Sequence, residues 1–126
     1  MIGALSVIAD LSKNDVYAVS KWINKHHQNC IPINSLLKPP SAELSPNQVD
    51  PFDYSVISPL VDNIIEKQKP FSVLINEGYE ESLVQDIYKK IKISEYKRRQ
   101  APPGLRVSSK AFGTGRRYPI VNNFNG

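Results

Sequence analysis

The stretch Ser12 to His26, SKNDVYAVSKWINKH, decides how the chain is read. Ser12 and Asp15 have the spacing of a capping box, in which each side chain satisfies a backbone N–H of the other. Val16, Val19 and Ile23 follow at helical spacing, with Trp22 beside them. The pattern predicts a helix from Lys13 to His26. Upstream, Ala4 to Ala9 (ALSVIA) is short, apolar and β-branched, and reads as a buried strand or extended entry segment. Downstream, Ile31-Pro32 closes the helix, and Pro32 to Leu37 has room for one further helical turn.

From Lys38 to Pro51 the sequence is KPPSAELSPNQVDP. Its prolines forbid a long helix, so a long loop is expected. Ser58-Pro59 has the form of a helix start, with serine at the N-cap and proline at the first helical position. Phe71 to Glu77 predicts a short helix stopped by Gly78. Glu80 to Ile93 predicts another, with Leu83, Val84, Ile87, Tyr88 and Ile91 as its apolar stripe. Ser94 is positioned to cap a further turn carrying Tyr96 and Lys97, and beyond Pro102 the chain reads as irregular. The expectation is a mainly α segment of about four helices, one short N-terminal strand, a Pro-rich loop and a basic tail.

Charge is concentrated at that tail. Ser94 to Ile120 holds seven of the 16 basic residues and one of the 12 acids, a local charge of +6. The remainder, nine basic against eleven acidic residues, is −2. Such a cluster is an electrostatic footprint for an anionic partner. The single cysteine, Cys30, excludes an internal disulfide and favours a reducing compartment. Beside His26 and His27 it is neither a readable nucleophile nor a zinc set, and a partly buried thiol near a helix end is the simpler expectation. The opening apolar run lacks a basic leader and is broken by Asp10, and no stretch reaches transmembrane length. A cytoplasmic protein is expected.

Three positions could meet phosphate. Lys13 stands at a helix start, where the dipole and free N–H groups favour anions. Ser41 lies between prolines on the long loop. Gly113-Thr114-Gly115 beside Arg116 and Arg117 is no dinucleotide fingerprint, though its backbone could approach an anion. By spacing alone, a solvated lysine, a local cap and a solvated tail are the simpler readings. No catalytic acid–base constellation and no metal site can be read.

Three segments taken together point further: Asp10-Leu11-Ser12-Lys13 leading to Val16-Tyr17; Lys38-Pro39-Pro40-Ser41-Ala42-Glu43-Leu44; and Ser94-Glu95-Tyr96-Lys97-Arg98-Arg99-Gln100. In order and spacing they resemble the C-terminal part of the glutamine-dependent NAD+ synthetases. Ala101 to Val107 and Lys110 to Gly113 fit the bacterial two-domain form. The resemblance covers about residues 3 to 121.

The resemblance implies an α/β fold of the ATP-pyrophosphatase (adenine nucleotide alpha hydrolase-like) type. It implies activation of the nicotinate carboxylate of deamido-NAD by ATP, release of pyrophosphate, and attack by ammonia drawn from glutamine. Carried over by motif, Lys13 and Ser41 match the ATP-phosphate contacts, and Tyr96 and Lys97 match the aromatic–basic pair that meets deamido-NAD. The family's SGGxDS phosphate loop, its magnesium-binding acid and its glutaminase domain do not occur in these residues, and Ala4 stands where short ammonia-dependent relatives carry an acid. The chain is therefore expected to be a C-terminal segment (residues 1–126) of a homo-oligomeric synthetase, inactive alone, with the Mg2+ ligands in the missing N-terminal part. The alternatives are a small basic nucleic-acid-binding module and a segment of another ATP pyrophosphatase, such as a GMP synthetase or a tRNA-thiolating enzyme. The +6 tail suits the former, but nucleic-acid contact is not expected, because the aromatic strand platform of single-strand binders is lacking.

Overall fold

The computed structural model describes residues 4–113 and 115–121. Thr114, for which one reading above was made, lies outside the described residues. Among the described residues six helices follow one another: α1 (Lys13–His26), α2 (Ile33–Leu37), α3 (Tyr54–Ile65), α4 (Phe71–Asn76), α5 (Glu81–Ile93) and α6 (Glu95–Arg99). That is more than the four expected, because the single turns α2 and α6 both close. The chain divides into two compact units, residues 12–58 and residues 1–11 with 59–126.

The second of these units holds the core. Leu60, Ile64 and Ile65 of α3, Leu74 of α4, and Val84 and Ile87 of α5 are its buried apolar side chains. The α5 stripe read from the sequence thus buries as its period demands, with Val84 and Ile87 deepest. α4 packs on α5, and the Phe71 ring meets Tyr88 edge-on at 5.0 Å. α4 stops where glycine permits a left-handed residue: Gly78 has φ +98, its N–H donates to Ile75 O, and the Tyr79 N–H donates to Leu74 O.

The expected strand over Ala4 to Ala9 does not form. Ser6 makes one isolated parallel bridge to Gly104, with its N–H donating to Pro103 O at 2.8 Å. On one side of the bridge Pro102 and Pro103 have no N–H to give, and on the other residues 7–10 turn, with the Ala9 N–H donating to Ser6 O, so the ladder ends after one step. Gly104 suits the close approach, because a Cβ there would stand 3.2 Å from the Ala9 Cβ.

In the other unit α1 has the bounds expected of it. Ser12 Oγ accepts from the Asp15 N–H at 3.2 Å, and Asp15 accepts from the Ser12 N–H at 3.1 Å. Gln28 and Asn29 take positive φ and turn the chain away. The Asn24 side chain then pins the return, donating to Ile31 O and accepting its N–H, each at 2.8 Å. Cys30, between them, is exposed rather than partly buried.

Two start signals were misread. α3 begins at Tyr54, not Ser58, because Asp53 supplies the cap: its carboxylate accepts from the Ser55 N–H at 2.9 Å. Pro59 therefore falls inside the helix, where it removes one bond, to the solvent-facing Ser55 carbonyl. Ser94 precedes α6 but lies in helical backbone with no capping bond from its hydroxyl.

Candidate functional site

Lys13 is the first residue of α1 and is exposed. Its ammonium sits 5.8 Å from the centroid of the Tyr54 ring, a cation–π contact that leaves the charge wet. The Tyr54 hydroxyl donates to Asp50 at 2.7 Å. Burial, then this bond and the Asp50 charge, push its pKa up to about 12, so the ring stays neutral. The capping box already satisfies the Asp15 amide and places a carboxylate in the first turn. What this helix start can offer an anion is thus mainly the lysine itself, more than the helix dipole.

Ser41 is half-buried in the long loop. Its Oγ accepts from the Glu43 N–H at 3.0 Å, fixing a turn in which Glu43 takes φ 52. A hydroxyl that accepts through one lone pair keeps its O–H to donate. An ion pair from Lys38 to Glu43 and a 2.8 Å bond from the Asp50 N–H to Pro40 O tie the loop to itself. Glu43 is accordingly held below the usual carboxylate range, by the Lys38 hydrogen bond first and its charge second. The local-cap reading of Ser41 is therefore met, and it leaves the hydroxyl available.

Tyr96 and Lys97 belong to the other unit, on α6. Tyr96 is 46% exposed and Lys97 is exposed, its ammonium 6.0 Å from the Tyr96 ring centroid. Their neighbours behave oppositely: Glu95 is 1% and Arg98 9% exposed, and the two are ion-paired. The structure thus brings Lys13 and Ser41 into one unit, and Tyr96 and Lys97 onto one helix of the other.

The basic tail is not one patch. Arg98 is buried. Arg116 donates to Glu66 at 3.1 Å and lies 3.5 Å from Asp10. Arg106 donates to the Ser108 and Ser109 carbonyls at 3.2 and 3.1 Å. The centre of this arrangement is Asp10, which the sequence offered as the end of an apolar run and the head of the Asp10–Lys13 motif, with no sign of these partners. It accepts from the N–H groups of Val107 (2.7 Å), Ser108 (2.6 Å) and Phe112 (2.6 Å), and from Ser108 Oγ at 2.9 Å. Burial raises its pKa, but the four hydrogen bonds outweigh burial and bring it to about 2. Glu66 is likewise lowered, by the Ser109 hydroxyl against its burial and then by the Arg116 charge. No short-range signal marks Asp10 or Glu66. Glu95 did leave one, as the lone acid in the basic stretch, three and four residues before Arg98 and Arg99.

Magnesium finds no fit here: among the described residues no group of three or more His, Cys, Asp or Glu gathers. Nor is any described helix long and apolar enough to cross a membrane.

The family model for NAD synthase matches residues 1–101, and the chain belongs to that family. It is 42% identical over 128 residues to the glutamine-dependent NAD(+) synthetase of Synechocystis sp., covering 99% of this chain and 23% of that protein. The synthetase of the same description from Thermotoga maritima is 37% identical, over 98% of this chain and 22% of that protein. Among solved structures, the glutamine-dependent NAD+ synthetase of Acinetobacter baumannii in complex with ADP superposes with a TM-score of 0.52 at 29% identity, over 90% of this chain and 20% of that one. The chain thus spans about a quarter of the length of the curated relatives it matches.

Proposed function

We propose that this chain forms part of the substrate site of a glutamine-dependent NAD+ synthetase. In that reaction the nicotinate carboxylate of deamido-NAD attacks ATP, pyrophosphate leaves, and ammonia from glutamine displaces AMP to give NAD+. Lys13 and Ser41 contact the ATP phosphates, where negative charge develops as pyrophosphate departs. Tyr96 stacks on deamido-NAD, and Lys97 pairs with its charge. The segment completes an ATP-pyrophosphatase-type α/β domain together with the rest of a cytoplasmic, homo-oligomeric enzyme. Magnesium is held elsewhere in that enzyme, and the 126 residues alone do not turn over.

The observation that supports this most is the contrast within the first and third motifs. Asp10, Glu95 and Arg98 are buried in internal pairs, while Lys13, Tyr96 and Lys97 beside them face solvent. The same contrast weakens the nucleic-acid alternative, because Arg98 and Arg116 are committed to carboxylates within the chain.

An amidation assay with ATP, deamido-NAD and ammonia tests the reading. The isolated chain is expected to give no NAD+, and robust turnover would refute its incompleteness. In a synthetase carrying this segment, Lys13→Ala is expected to lower kcat/KM about tenfold to a hundredfold, the loss of one charge-assisted contact. Unchanged kinetics would remove Lys13 from the site.

A further inference from the structure

Helix α6 has five residues, too few to hold helical geometry in water without support. Its support is ionic and one-sided. Residues three apart share a helix face, so Glu95 and Arg98 turn inward together while Tyr96 and Lys97 turn outward. Glu95 accepts from Arg98 Nη2, from Arg99 Nε at 3.2 Å and from the Tyr118 backbone N–H. The Arg98 guanidinium lies 5.8 Å from the Phe112 centroid and 5.9 Å from that of Tyr118. Arg99 Nη2 donates to Tyr118 O at 3.2 Å, and the Tyr118 ring meets Tyr88 of α5 edge-on at 6.2 Å. Outside α6, this face thus meets Phe112 and Tyr118, and Tyr118 in turn meets α5.

A buried ion pair adds little stability over apolar packing of the same volume. It does impose direction, because two side chains with several defined partners fix the rotation of a short helix about its axis. We propose that Glu95 and Arg98 are positioning residues: their buried pair, held against Phe112 and Tyr118, aims Tyr96 and Lys97 at the dinucleotide. This rests on the reading of Tyr96 and Lys97 given above. The tail beyond Pro102 then serves the site without touching ligand.

Isothermal titration of a glutamine-dependent NAD+ synthetase carrying this segment, with deamido-NAD and, separately, with ATP, tests the proposal. Glu95→Gln is expected to raise the Kd for deamido-NAD about tenfold or more, with the Kd for ATP within about twofold of wild type. A loss of fold would weaken both ligands together. Arg98→Lys, which keeps a cation for Glu95, is expected to recover part of the affinity that Arg98→Ala loses. Unchanged deamido-NAD binding in Glu95→Gln, equal loss of both ligands, or Arg98→Lys no better than Arg98→Ala would each overturn the positioning role. Lys97→Ala reads the site itself. If it binds deamido-NAD like wild type, the site reading is what fails, and the positioning role fails with it.

Discussion

The two compact units are held by different forces. Residues 4–11 with 59–121 bury six apolar side chains and a set of charged ones. Residues 12–58 bury no apolar side chain among those described: α1 has none, and Trp22, its largest residue, is 55% exposed. That unit stands on caps and turns, namely the Ser12–Asp15 box, the Asn24 clasp and the Lys38–Glu43 pair. Caps and turns are worth about 1 kcal/mol each, whereas one buried leucine is worth several times that. The apolar face of α1 is therefore patterned for a core that these residues do not supply.

The comparison is broken most forcefully in the core. Leu74→Ala removes a fully buried side chain and is expected to cost about 2–5 kcal/mol, read from urea unfolding followed by the circular dichroism of α5. A cost below about 1 kcal/mol would mean that unit is no better packed than its neighbour.

The Asp10 clasp comes next. Its folded pKa, about 2, lies below the ordinary 3.8. A depressed carboxylate stabilises the fold fully above its unfolded value and loses that contribution as pH falls through its folded value. The contribution, about 2 kcal/mol, should disappear between about pH 4 and pH 2. Asp10→Asn, already destabilised because its amide must face three N–H donors, should lose less over the same interval than wild type. Parallel acid-unfolding curves for the two proteins would show that Asp10 contributes nothing through its charge.

The clasp also marks where sequence reading stops. α1, the Gly78 stop and the α5 stripe are local: each is set by residues within a few positions, and each was legible. Asp10 and the Val107 amide are 97 residues apart, and Glu66 and Arg116 are 50 apart. Nothing in either segment announces the other. The Ser58-Pro59 start failed for a related reason, since Asp53 caps the same helix five residues earlier and two good signals competed. The strand at Ala4 to Ala9 failed because apolar β-branched residues show that a segment is buried or paired somewhere, without showing that a neighbour has N–H groups to pair with. Lys13 and Ser41 were possible phosphate contacts from their places at a helix start and on the proline-rich loop, but there the simpler readings led, because an exposed lysine has no local signature of use; Tyr96 and Lys97 became candidates only through the ordered motifs.

In the cap-held unit, Ser12→Ala removes one half of the capping box and is expected to cost about 1 kcal/mol. The loss should appear as faster amide exchange in the first turn of α1, with the amides of α5 unchanged if the two units open independently. Equally faster exchange in α1 and α5 would show that α1 and the core unfold as one.

The smallest effect on stability is expected at Lys13. Its side chain is exposed, and its contact is with the Tyr54 ring at 5.8 Å, worth about 0.5 kcal/mol at such a site. Lys13→Ala should leave the unfolding midpoint nearly unchanged while removing the cation proposed for ATP. Tyr96→Ala, exposed on its own helix, should behave the same way toward deamido-NAD. A residue whose loss is invisible to folding and visible to a ligand is held in place for the ligand, since no internal contact requires it. If Lys13→Ala instead unfolds α1, its ammonium is a structural part of the helix start, and the solvated-lysine reading, with Tyr54 as its partner, is the better account of that position.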